Sequence, residues 1–266
     1  MSWFSSSSRT ALTSALCAAL LSAGLLSGCA GPTATGSSDS SAPVAMAGPE
    51  ENWANFAGAV DQDRPEIVGY MLKKGLSPNT IVKNGDPALV RAIRMDSEAV
   101  TKLLMASEGI DFNQTSEYGE TPLMLAAFKG NEALVRALIE KGASVNRPSG
   151  WTPLHYAATE GHEAIVALLL EKEANVNART DSGVTALYMA ARKPSRAVVV
   201  QLLRAGAYRD LCNDKHQSPA DAAARAGDTE LAKYLAVEKC VEIPAAVKSP
   251  FAPVPGRTPV GSAAKR

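Results

Sequence analysis

The chain has 266 residues, with 27 basic and 27 acidic side chains and a formal net charge of zero; only 5% of its residues are aromatic. That balance, with no basic stripe anywhere along the chain, excludes a general electrostatic attraction to nucleic acid. Four cysteines and three histidines are scattered without zinc-ligand spacing, so no metal site and no cofactor is expected.

Residues 1–28 carry one charge, Arg9, followed by an apolar run from Ala11 to Leu26 with small residues throughout. The run is short for a spanning helix and reads as a secretory signal. Its end, Leu26-Ser27-Gly28-Cys29, resembles a bacterial lipobox. The resemblance implies acylation of Cys29 and cleavage just before it; a plain signal with an incidental cysteine is the alternative. Acyl chains on Cys29 would stand in for a membrane span, each buried CH₂ contributing ~0.8 kcal/mol. Ala30 follows rather than Asp, which by the sorting tendency of Gram-negative lipoproteins implies the outer membrane, with the protein facing the periplasm. Residues 29–51 are rich in Ser, Gly, Ala, Thr and Pro and read as a flexible tether.

From residue 52 the pattern becomes helical and repetitive. In GWTPLHYAATEGHEAIVALLLEKEANVN (Gly150 to Asn177), Thr152 and Pro153 open one short helix, because a hydroxyl caps free N–H groups and proline tolerates the first turn. Gly161 breaks it, and Ile165, Val166, Leu168, Leu169 and Leu170 supply the apolar face of a second. Neither helix is long enough to stand alone. Copies begin at Thr121, Thr185 and Ser218, so the four starts are spaced by 31, 33 and 33 residues. These units resemble the ankyrin repeat, and the resemblance implies an all-α solenoid of helix-turn-helix pairs joined by hairpin loops.

Two degenerate copies precede them, Asn55 to Asn79 and Pro87 to Asn113, giving about six units over residues 52–240. Weakened end units are expected, because a stack needs caps that face water on one side. Glu173 stands where the repeat has a left-handed glycine, Pro194 replaces the inter-helix glycine of the fifth unit, and the hairpin after Asn146 lacks two residues. Residues 241–266, with Pro244, Pro250, Pro253, Pro255 and Pro259, read as a disordered tail.

Cys17 leaves with the signal, so Cys212 and Cys240 remain in a compartment expected to be oxidising. By repeat register Cys212 falls in a hairpin loop and Cys240 after a second helix. Two separate thiols are the default expectation, and a disulfide clipping the last unit to its neighbour is the alternative.

Nothing assembles a catalytic constellation: no G-x-S-x-G elbow, phosphate-binding glycine loop or H-E-x-x-H occurs. His155 and His162 fall where the ankyrin pattern itself has histidine, tying neighbouring loops together. The chain is therefore read as a non-enzyme that binds a protein, with no small-molecule substrate. The resemblance implies docking on the concave face made by hairpin tips and first helices. The freely varying positions there include Tyr118, Glu120, Phe128 and Lys129 in the third unit and Trp151, Thr159 and Glu160 in the fourth. Asp181, Arg192 and Lys193 follow in the fifth, and Lys215 and Arg225 in the sixth. Tyr118, Phe128 and Trp151 are large aromatics in adjoining units. They read either as a binding hot spot or as filler around small alanines and the shortened hairpin. On the first reading Trp151 with Phe128 anchors the partner, while Arg192, Lys193 and Arg225 steer its acidic side. Two roles compete for such a module: an immunity protein neutralising a periplasmic toxic effector such as a lipase, or an auxiliary factor of an envelope enzyme such as a catalase; an enzyme is a distant third.

Overall fold

The computed structural model describes residues 49–193 and 195–241; Cys29, the signal, most of the expected tether, Pro194 and the residues after Val241 lie outside them. Among the described residues there are twelve α-helices and no strands, arranged as six consecutive pairs. The pairs are α1 (Pro49–Asp61) with α2 (Pro65–Lys73), α3 (Ala88–Arg94) with α4 (Glu98–Met105), and α5 (Pro122–Lys129) with α6 (Glu132–Glu140). Then come α7 (Pro153–Glu160) with α8 (Glu163–Glu171), α9 (Ala186–Arg192) with α10 (Arg196–Arg204), and α11 (Pro219–Arg225) with α12 (Thr229–Leu235). First helices pack on first helices along the whole series, α1 on α3 through to α9 on α11.

The opening Thr-Pro does the local work expected of it. Thr121 accepts the Met124 N–H through its hydroxyl, Thr185 that of Tyr188, and Ser218 that of Asp221. Each bond satisfies one of the N–H groups that a helix start leaves without an internal partner. Leu123, Leu154 and Leu187 are buried in the next turn, and the paired alanines 126/127, 157/158, 190/191 and 222/223 are buried behind them. Small side chains there let first helices approach closely. Larger residues fill the layer beneath: Val135 and Leu138 on α6, Ile165, Val166 and Leu169 on α8, Val198, Val199 and Leu202 on α10. One continuous core results, with each unit burying its apolar face on its neighbour.

Asparagine at the end of each of the first four units stitches the loops. Asn146 donates through Nδ2 to the Glu173 carbonyl at 2.9 Å and accepts the Asn175 N–H at 2.8 Å. Asn177 does the same one unit on, with the Gly206 carbonyl at 3.0 Å and the Tyr208 N–H at 2.9 Å. Asn79 bridges the degenerate units likewise, to Gly109 at 2.7 Å and Asp111 at 2.8 Å. Glu173 sits at φ 60°, in the left-handed region where the repeat has glycine.

Where the first two units lack Thr-Pro and His, charge takes over. Arg91 grips Asp61 through Nε at 2.6 Å and a second nitrogen at 3.1 Å. Arg94 grips Asp86 at 3.0 and 3.1 Å and reaches Glu120 of the third unit at 2.8 Å. These forked pairs are partly buried, a setting in which arginine holds carboxylates with two parallel bonds. The Arg91 bond keeps the Asp61 carboxyl below the usual carboxylate range. Asp63 of the first unit also accepts the Ala99 and Val100 N–H groups, capping α4 from outside it.

Two boundaries and the state of the cysteines differ from the sequence reading. Helix α1 starts at Pro49, inside the segment 29–51 expected to be tether; proline followed by Glu50 and Glu51 is itself a helix-opening pattern. At the other end Val241, expected to begin the tail, pairs with Leu211 as an isolated bridge, its N–H donating to the Asp210 carbonyl at 2.8 Å. That return of the chain also changes the cysteines. Cys212 and Cys240 form a disulfide, with Cα atoms 5.6 Å apart, in place of the two separate thiols of the default reading. Register alone placed them apart because it stopped at the end of α12 and carried no information on where the chain goes next.

Candidate partner-binding face

The candidate surface is made by the hairpin tips and the C-terminal ends of the first helices. The third, fifth and sixth tips are tight turns closed by backbone bonds, Ser116 N–H to Glu120, Thr180 N–H to Val184 and Asn213 N–H to Gln217. The tips are anchored from below. His155, fully buried in α7, accepts the Thr152 N–H at Nδ1 (3.2 Å), and its Nε2 lies 3.0 Å from the Val184 carbonyl in the next tip. That contact requires the neutral ring with its proton on Nε2. Burial lowers the imidazole to about 4, against backbone bonds to Val184 and Ala178 that favour the charged form. His162 performs the matching role between α7 and the preceding unit, with Nε2 2.9 Å from the Phe128 carbonyl. Among the described residues no cluster of His, Cys, Asp or Glu has the arrangement of a metal site, and no helix is long and apolar enough to cross a membrane.

The residues picked out by repeat position divide into two groups. Five are engaged with the fold. Glu120 accepts from Arg94 and from the Tyr156 hydroxyl, the latter at 3.2 Å. Lys129 reaches back to Asp96 at 2.7 Å, and Lys193 to Glu160 at 2.6 Å, each crossing one unit boundary. Thr159 donates its hydroxyl to the His155 carbonyl, in its own helix, at 2.7 Å. The remaining seven, Tyr118, Phe128, Trp151, Asp181, Arg192, Lys215 and Arg225, are exposed.

Trp151 and Phe128 are joined by a residue the sequence reading missed. Tyr156 meets the Phe128 ring edge-on at 6.0 Å and the Trp151 ring at 5.5 Å, while Trp151 also stands 5.6 Å from His155. Tyr156 is half-buried, and burial together with the Glu120 carboxylate pushes its phenol up to about 12. It was overlooked because its repeat position holds apolar core residues elsewhere, Leu125 in the third unit and Met189 in the fifth. The signal was the polar-tipped ring itself, where neighbouring units have none. Trp151 packs edge-on against His155 and Tyr156 of its own unit, yet 38% of its surface stays exposed, beside Phe128 at 43%. Tyr118 projects from the third tip at 75% exposure and makes no ring contact among the described residues. The short fourth hairpin is braced by Arg147, whose guanidinium donates to the Gly119 carbonyl of the preceding tip.

Comparison with known proteins finds likeness in the repeats. A model described as "Ankyrin repeats (3 copies)" matches residues 92–180 and 145–208. Among curated proteins, alpha-latrocrustotoxin-Lt1a of Latrodectus tredecimguttatus is 34% identical over 90 residues, which is 34% of this chain and 6% of the toxin. Neurogenic locus notch homolog protein 1 of Mus musculus is 33% identical over 161 residues, 60% of this chain and 5% of that protein. Transient receptor potential cation channel subfamily A member 1 of Homo sapiens is 29% identical over 93 residues, 35% of this chain and 8% of the channel. The chain thus spans a small fraction of the length of each of these relatives, and the likeness concerns the repeats.

Proposed function

We propose that these ankyrin repeats, a scaffold for contact between proteins, hold a partner against the Trp151–Tyr156–Phe128 cluster at the surface of a membrane-anchored lipoprotein. The observation that carries the reading is the cluster. Three aromatic rings from two adjoining units are joined edge-on through Tyr156, with Trp151 and Phe128 left substantially open. Rings already fixed lose little freedom on binding and bury much area, which is why such residues dominate interface energetics.

The anchor rests on Leu26-Ser27-Gly28-Cys29, and it gains support from the Cys212–Cys240 disulfide, because such bonds persist in oxidising compartments and are rare in the cytosol. Ala30 after the cysteine favours the outer membrane, facing the periplasm. A partner-capturing face held close to the membrane suits an immunity protein that neutralises a toxic effector entering the periplasm, such as a lipase. Trp151→Ala in the acylated chain, with its melting curve checked, should weaken partner capture at least about tenfold. Unchanged capture removes the aromatic anchor. Incorporation of a palmitate analogue that survives in a Cys29→Ser variant removes the lipid site. A deletion strain that tolerates sister-cell attack but not peroxide moves the role to an auxiliary factor of an envelope enzyme.

A further inference from the structure

Farther along the same face, α9 and α11 leave a groove of about 290 Å³ lined by Tyr188, Arg192, Ala222, Arg225 and Ala226. Its floor is apolar: Tyr188 and Ala222 are buried, and the Tyr188 hydroxyl is held by Gln217 Oε1 at 3.0 Å. Its walls are two exposed arginines at the same position of consecutive units, and no carboxylate lines it. The contrast with the next position is informative. Lys129 and Lys193 there are each matched by a carboxylate one unit back, whereas among the described residues neither Arg192 nor Arg225 enters an ion pair. Asp221, on the same helix as Arg225, is held by capping, accepting from the Ser218 hydroxyl and N–H at 2.7 Å each, and acts on Arg225 only through space.

We propose that this groove takes an acidic side chain of the protein partner, a glutamate or aspartate whose carboxylate lies between the two guanidiniums. Guanidinium matches carboxylate with paired donors, and a short aliphatic stem fits an alanine floor. Asp221 offsets part of the Arg225 charge, but among the described residues neither arginine enters an ion pair, so two like charges at one groove are stabilised by the arrival of a carboxylate. The inference rests on the reading of this face as the docking surface, and adds the chemistry of the partner: an acidic segment that reaches the groove while another part meets the aromatic cluster. It also revises the steering set. Lys193 is committed to Glu160, so the attraction is carried by Arg192 and Arg225.

The test is a titration of the full mature chain with a hexaglutamate peptide blocked at both ends, read by arginine Nε–H and tyrosine NMR signals. Shifts should concentrate at Arg192, Arg225 and Tyr188, weaken with salt, and the affinity should fall at least about tenfold in an Arg192→Gln/Arg225→Gln variant that melts like the parent. Shifts spread evenly over basic residues, unchanged affinity in the variant, or equal competition by inorganic phosphate or by a hexaglycine with a free C-terminus would each overturn the proposal. Partner capture that depends on Trp151 but not on the two arginines would remove the acidic subsite and leave the docking face standing.

Discussion

Removal of the disulfide is the perturbation whose size follows most directly from the fold. Cys212 precedes α11 and Cys240 follows α12, with a sequence separation of 28, so the bond closes a loop containing the whole terminal helix pair. Restoring the conformational freedom of a loop that long to the opened chain costs about 3.5 kcal/mol of stability. The terminal unit has little with which to offset that. Its two helices have seven residues each, and α12 buries only Leu231 and Leu235. Burial of a leucine contributes about 2 kcal/mol, before the entropy of ordering the helix is subtracted. A Cys212→Ser/Cys240→Ser variant should therefore fray at its C-terminal end while the interior units stay intact. Native-state hydrogen exchange resolves this: protection of the α11 and α12 amides should drop by about 2.5 powers of ten, with α5 to α8 unaffected. Equal protection in the variant and the parent would show that the bridge adds nothing to the cap, and that loop closure is the wrong account of its role.

Other predictions follow from single residues. Burial holds His155 at about 4, below the ordinary imidazole value of 6.5, so the unfolded chain takes up a proton that the folded chain refuses. Stability is full above pH 6.5 and should fall by about 3 kcal/mol as the pH drops toward 4. A His155→Gln variant, though less stable overall, should lose that slope in denaturant melts, and a retained slope would assign the pH dependence elsewhere. Glu173→Gly relieves a non-glycine residue at φ 60° and leaves the carbonyl that binds Asn146 in place, so it should raise stability by about 1 kcal/mol in the same assay. Gly130→Ala acts oppositely. Its new Cβ would lie 2.6 Å from the His162 ring at φ +75°, so a loss of at least about 1 kcal/mol is expected, and a neutral result would mean that the His162–Phe128 bond is dispensable.

The six-unit architecture was legible because the repeat is written twice over, in the Thr-Pro starts and in the spacing that returns Leu123, Leu154 and Leu187 to one buried layer. Glu173 could be placed at a left-handed position from the sequence for the same reason: its neighbours in register carry glycine. Features that depend on contacts between units were less readable. Lys129 and Lys193 look free in a single unit, and only stacking brings Asp96 and Glu160 against them. Tyr156 reads as core by its register and becomes the hub of the cluster because Phe128 arrives from the unit before it. The disulfide depends on where residues 236–241 turn, and no periodicity governs a stretch outside the repeat.

The claim on which the account depends is that partners bind the face carrying Trp151, Tyr156 and Phe128. Its most direct measurement is site-specific photo-crosslinking in the producing cell, with the reactive side chain at Tyr118 on the exposed tip, or at Glu140 at the end of second helix α6. Tyr118 should yield one discrete protein adduct that disappears when Trp151→Ala is added, and Glu140 should yield none. An adduct formed from Glu140 alone, or one from Tyr118 that persists without Trp151, would contradict it.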